Sequence, residues 1–452
     1  AGKRLAEGRE WERLVDVGLA NEEFRRAFNV ARWPLYFAYT VGDVEFGAVR
    51  ARGVRAVAFM GGEKTLRIEV LAERVEVLSA ERVRVLGGEW FRLATFDIDM
   101  ESGLVQLIPR VEVSAKVKAE SVLAERLSAL VLTDVGMGGK YLRSPDPTLH
   151  LLYALAVGEA TVRVTRVVFT EAGPTLHLEA EAPSERVNWL YEDVARELEK
   201  LGVKMKVWEL RRMARSKAVE TVGEYAGDVK RIAREAKSVE ELRARLVELF
   251  DRVMRKAAEE YRRTRSKEAL RKAVGAVVAK KFFAENVDDP VWWTLLLLGD
   301  GIVKVRGQEL GFAAKPVEAA EAVMYVFARV MGVPLEVQRE GVYNATLNRE
   351  ASRAAVERLF KLLEEARVGD VPASQLLTAV AEWWLGVGTG GSDPPKLLSL
   401  LAFRELAASK EGRWLGAVVR GRSDAGARCR GALARRRLPR LCRAASEGGC
   451  RL

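Results

Sequence analysis

The spacing of apolar and polar positions changes character along the chain. Up to about residue 140, short runs alternate at 54–59, 66–70, 75–78, 82–86, 91–96 and 105–113, after a helical piece at 9–28. Gly61-Gly62, Gly87-Gly88 and Gly103 punctuate them, which predicts antiparallel strands. After Asp146-Pro147 the pattern becomes helix, strand, strand, helix, and residues 200–281 read as long amphipathic helices. At Pro290 a new apolar helix begins, capped by Asp288 or Asp289, and runs straight into Gly299-Asp300-Gly301. Val303 and Val305 then alternate with Lys304 and Arg306, and Gly307-Gln308-Glu309 turns a hairpin into 310–314. A helix from Pro316 to Gly332, strands at 335–337 and 342–347, and a helix at 349–365 complete the order helix, hairpin, helix, hairpin, helix. Residues 373–420 read as further helices, broken at 388–395.

Composition adds three restrictions. The chain has 452 residues, enough for several cores, and no apolar run approaches the length of a membrane span. No secretory signal is visible, so a cytoplasmic protein with no membrane partner is expected. Gln (4) and Asn (6) are scarce beside Arg, Glu and Val, a bias of proteins from hot habitats. The net charge of +11 is uneven: from Arg420 onward 10 Arg face 2 acids, and Cys429, Cys442 and Cys450 all fall there. That stretch lacks periodicity and reads either as a basic arm or as the product of a shifted reading frame. Between 200 and 281, 24 Lys/Arg stand against 12 interleaved acids, the pattern of a solvated helix face, with a phosphate-tracking surface as the alternative. Stacking aromatics are sparse there, so single-strand binding is not expected.

Asp300 is the most informative single residue. It stands at the C-terminal mouth of an apolar helix, where backbone carbonyls favour a cation and a lone carboxylate is costly. A metal-binding acid and a solvated helix stop both satisfy that position. The element order, with an acid–glycine end on its first helix, resembles one half of a LAGLIDADG homing endonuclease. That resemblance implies two such halves, with motif helices side by side and an acid at the end of each. The acids would hold Mg2+ against the scissile phosphates of double-stranded DNA, and a metal-bound water would attack. An internal echo supplies the second acid: Gly158-Glu159-Ala160 falls on Gly299-Asp300-Gly301, and Val162-Arg163-Val164 on Val303-Lys304-Val305. The resemblance thus assigns Asp300 and Glu159 as catalytic and metal-binding acids. Lys304, Arg306, Arg163 and Arg166 become the DNA-contacting cations on the sheet faces.

The segment around 292–303, the basic helices before it and the Trp383-to-Gly391 stretch also resemble the PaRep-two-b proteins. That family of hyperthermophilic crenarchaea is multi-copy, and it names a relative without naming a reaction. Other chemistry has little material. Only His150 and His177 are present, the cysteines form no CxxC pair, and Gly136-Met137-Gly138-Gly139-Lys140 lacks the first glycine and the Ser/Thr of a phosphate loop. No nucleotide or other organic cofactor is expected. Asp97, Asp99 and Glu101 fit a solvated turn better than a cation site.

The expectation is an α+β protein in five parts. A β-rich domain (1–145) precedes a degenerate first LAGLIDADG-like half with a basic helical insertion (146–285). A second αββαββα half (286–369), a helical extension (370–419) and the Arg/Cys-rich tail (420–452) follow. The function expected is DNA binding by a relative of metal-dependent homing endonucleases, active or catalytically degenerate. The alternative is a noncatalytic repeat-family protein making protein or DNA contacts.

Overall fold

The computed structural model describes residues 35–46, 49–78, 83–86, 91–109, 114–170, 173–387 and 395–408. The helical piece at 9–28, most of the break at 388–395 and the Arg/Cys-rich tail lie outside them. Helices and antiparallel sheet are both present, as an α+β chain requires.

The N-terminal part is built from β1 (Leu35–Phe46), β2 (Val49–Gly62), β3 (Thr65–Ala72), β4 (Arg74–Leu78), β5 (Val83–Leu86), β6 (Phe91–Asp99), β7 (Val105–Pro109) and β8 (Ser114–Lys118). Ala51, Val54, Ala72 and Val75 are buried together, and charged pairs form between neighbouring strands, such as Arg67 on Asp97 at 2.7 and 2.9 Å. Asp99 accepts from the Glu101 and Ser102 amides, so this acidic stretch is a hydrogen-bonded turn.

The sheet does not stop at residue 145. It continues through β9 (Gly136–Met137), β10 (Tyr141–Ser144), β11 (Glu159–Thr170) and β12 (Gly173–Glu181) in the order β5-β4-β2-β3-β6-β7-β11-β12-β10-β9. One half of β11 pairs with β8 and the other with β7. One continuous core extends from Leu123 to Phe403, and a small separate cluster surrounds Val54 and Val75.

The order expected for 290–365 is present. Helix α8 (Pro290–Asp300) leads to β13 (Gly301–Lys304) and β14 (Glu309–Ala313), then α9 (Val317–Met331), β15 (Val337–Glu340), β16 (Asn344–Leu347) and α10 (Arg349–Glu365). The four strands lie in the order β13-β14-β16-β15. Asp289 caps α8 through the Val291 and Trp292 amides, and Pro290 takes the first turn, where no amide is needed. Every residue from Val291 to Asp300 is buried, so this helix is core on all sides.

The same series occurs earlier, starting before residue 146. A short helix α1 (Leu127–Val131) is followed by β9, β10, α2 (Pro147–Val157), β11, β12 and α3 (Glu185–Lys200). These strands lie in the order β9-β10-β12-β11, so in both series the second strands of the two hairpins pair with each other. Helices α2 and α9 occupy the same place in their series; Pro147 and Pro316 precede or open them, and Gly158 and Gly332 end them at φ 80° and 67°. The basic insertion follows α3 as α4 (Val207–Glu224), α5 (Ala226–Glu235), α6 (Val239–Thr264) and α7 (Lys267–Val278). Beyond α10 come α11 (Ala373–Val387) and α12 (Lys396–Ala408).

Candidate functional site: an acid pair at two helix ends

The two leading helices, α1 and α8, lie side by side and point the same way. At their starts Arg126 Nε meets the Asp289 carboxylate at 2.8 Å, and one turn on Trp292 Nε1 donates to Ser128 Oγ at 3.0 Å. At their ends Thr133 lies against Gly299, where a Cβ on the glycine would collide with the threonine side chain. Small residues at a crossing allow this approach, and it brings the next residue of each chain together. The Asp134 amide donates to Asp300 Oδ1 at 2.7 Å.

Two cations close the junction. Arg215 on α4 donates from Nε to the Leu132 carbonyl at 3.2 Å and from Nη2 to the Asp134 carboxylate, with Asp300 Oδ2 at 3.5 Å. Lys396, which opens α12, donates from Nζ to the Gly299 carbonyl. Each helix end therefore has a cation on a terminal carbonyl, supplied by a helix that follows its own series. This is the charge a helix C-terminus favours. The Lys396 amide is held by Asp146 at 3.1 Å, and Asp146 also accepts from the Thr148 amide at 2.9 Å. One carboxylate thus caps both α2 and α12.

Electrostatics separate the two acids. The Asp300 side chain is 6% exposed and that of Asp134 77%. Burial pushes the Asp300 carboxyl up to about 6; the neighbouring Asp134 charge adds to this, and the Asp134 amide, Arg215 and Lys396 oppose it. Burial likewise lowers the Lys396 ammonium against the pull of Asp300, Asp146 and Asp134.

The structure does not bring Glu159 to this place. Gly158 ends α2 with a left-handed turn, and Glu159 opens β11 opposite Lys118, with Lys116 at 3.4 Å. The charged groups that face Asp300 are Asp134, Arg215 and Lys396. The echo at Glu159 is displaced by one hairpin: it matched α8 with α2, whereas the element order matches α8 with α1. The signal for the correct alignment is Leu130-Val131-Leu132-Thr133-Asp134 on Leu296-Leu297-Leu298-Gly299-Asp300.

The expected DNA-contacting cations divide evenly. Arg163 is engaged by Glu179 and Glu181, and Lys304 by Glu309 and Glu340. Arg166 and Arg306 are exposed and have no ion pair among the described residues. The hairpin faces are charge ladders, since Arg143 also pairs with Glu179 and Lys140 with Glu181. The Gly136–Lys140 stretch is strand β9 and the tight turn into β10, with Gly138 and Gly139 at φ 65° and 73°.

A hydrated Mg2+ takes one or two carboxylates and keeps several waters. At this junction the Arg215 guanidinium already lies on both carboxylates, and Lys396 on the neighbouring carbonyl. The residues present fit two side-chain cations and do not fit a divalent ion unless Arg215 moves away. Among the described residues, no group of three or more acids, histidines or cysteines gathers elsewhere either. No helix of the described residues is long and apolar enough to cross a membrane. In comparisons with known proteins, no family model, curated protein or solved structure matches this chain.

Proposed function

We propose that this chain binds double-stranded DNA on the two-halved plan of the homing endonucleases and, with its acid pair neutralised internally, does not cut it. The carrying observation is the meeting of Asp134 and Asp300 at the ends of two parallel helices, each leading two hairpins in the same strand order. In the plan it resembles, that place faces the DNA phosphates. Here Arg215 and Lys396 supply the positive charge from within the chain. Duplex contact then falls to the cations left unpaired on the hairpins, Arg166 and Arg306, as sequence-independent phosphate binding.

The test pairs two assays on the full chain. A labelled random-sequence duplex, followed by fluorescence anisotropy, should bind with an affinity that falls as salt rises, and supercoiled plasmid should stay intact in Mg2+. Failure to bind duplex at 50 mM salt, roughly the low end of the usual titration range, overturns DNA binding. Mg2+-dependent nicking that disappears in Asp300→Asn overturns the non-cutting assignment.

A further inference from the structure

Large exposed aromatics are few among the described residues, and in one place two of them stand beside guanidiniums that have no carboxylate partner there. It lies along α3 and α4. Trp189 and Trp208 are 41% and 48% exposed, against full burial for Trp292 and Trp293. An exposed indole costs apolar surface in water and marks an interaction site more often than a leucine does. Arg186 and Arg212 are exposed, and neither they nor Arg211 has an ion pair among the described residues. Glu209, the acid nearest along α4, turns back onto the Lys206 amide at 3.0 Å.

The parts are connected. Trp208, Arg211, Arg212 and Arg215 recur at the spacing of one helix face, with the Arg212 guanidinium 6.0 Å from the Trp208 ring centre. Arg211 Nη1 reaches Asn188 Oδ1 at 3.4 Å, which ties that face to α3, and the neighbouring Trp189 donates its indole N–H to the Arg186 carbonyl at 3.1 Å. With that N–H satisfied, the Trp189 ring offers a flat apolar surface. Arg215, at the end of the row, reaches the acid pair.

We infer that this α3–α4 face binds single-stranded DNA, with Trp189 and Trp208 stacking on unpaired bases and Arg186, Arg211 and Arg212 holding phosphates. Indole faces suit a single strand because a duplex hides its base planes, and unmatched guanidiniums complement the backbone charge. The choice of DNA over RNA rests on the duplex reading above, whereas the stacking surface itself does not.

The experiment measures anisotropy of labelled dT15, U15 and a random duplex on the full chain and on Trp189→Ala/Trp208→Ala. Both side chains are exposed, so the variant should keep the parent's circular dichroism and melting temperature; Arg212→Glu provides an independent second variant. The expected result is dT15 binding that weakens about tenfold or more in each variant, with duplex affinity changed less than about twofold. Duplex binding without dT15 binding overturns this inference and leaves the duplex reading standing. Binding of dT15 that falls in the variants, without duplex binding, does the reverse. Tighter binding of U15 than dT15, or variants that bind dT15 like the parent, also overturns it.

Discussion

Asp134 and Asp300 hold equivalent places in two series of identical element order, yet one carboxylate is mostly in water and the other is sealed in. The difference lies in the helices that deliver them. Helix α8 runs for eleven residues through the core, buried on every side, and its end is shut by α12. Helix α1 has five residues and gives way within a few residues to the short strand β9. Repetition of topology therefore conserves where the acids meet and leaves their solvation free to differ. The buried acid needs internal cations, because its charge cannot be screened by water. The exposed one adds little by its charge, and its amide becomes the contribution that matters.

The comparison can be broken most severely at the crossing itself. Gly299→Val forces a branched side chain into Thr133, and we expect a loss of about 3 kcal/mol or more in chemical denaturation. Next in size is Arg215→Met, which strands the Asp300 charge. It should cost about 2 kcal/mol at pH 8 and clearly less at pH 5, where Asp300 is protonated in parent and variant alike. A third effect follows from linkage. The Asp300 carboxyl titrates higher in the fold than its ordinary 3.8, so its contribution is full below about pH 4 and is lost as pH rises through about 6. The stability of the parent relative to Asp300→Asn should thus grow by about 2 kcal/mol between pH 7.5 and 4.5. Last, Asp134→Asn retains the amide donor and loses only an exposed ion pair, so denaturation at pH 7.5 should register a change below about 1 kcal/mol.

The second series was legible because its signals are local. Pro290 and Pro316 start helices, Gly332 stops one, and β13–β16 alternate between turn residues. The first series was misread because two helices of the chain end in glycine beside an acid and run into a strand. Gly158-Glu159 imitates Gly299-Asp300 in both respects. Helix α1 is too short to show a period, and its glycine-rich exit reads as a loop. Arg215 and Lys396 lie 81 and 96 residues beyond the acids they approach, a distance over which periodicity carries no information. The sheet crossing residue 145 was hidden for the same reason, since the pairing of β7 with β11 spans two intervening helices, α1 and α2. Pairing of Arg163 and Lys304 within the sheets was hinted at by Glu179, Glu181 and Glu309, whose alternation puts them on the same faces.

The most direct test of the acid pair is a double-mutant cycle of Arg215→Met with Asp300→Asn, run beside a cycle of Arg215→Met with Glu159→Gln. A coupling of about 1 kcal/mol or more is expected between Arg215 and Asp300 at pH 8, and none beyond about 0.3 kcal/mol between Arg215 and Glu159. Coupling to Glu159, or its absence at Asp300, would contradict the meeting of the two helix ends.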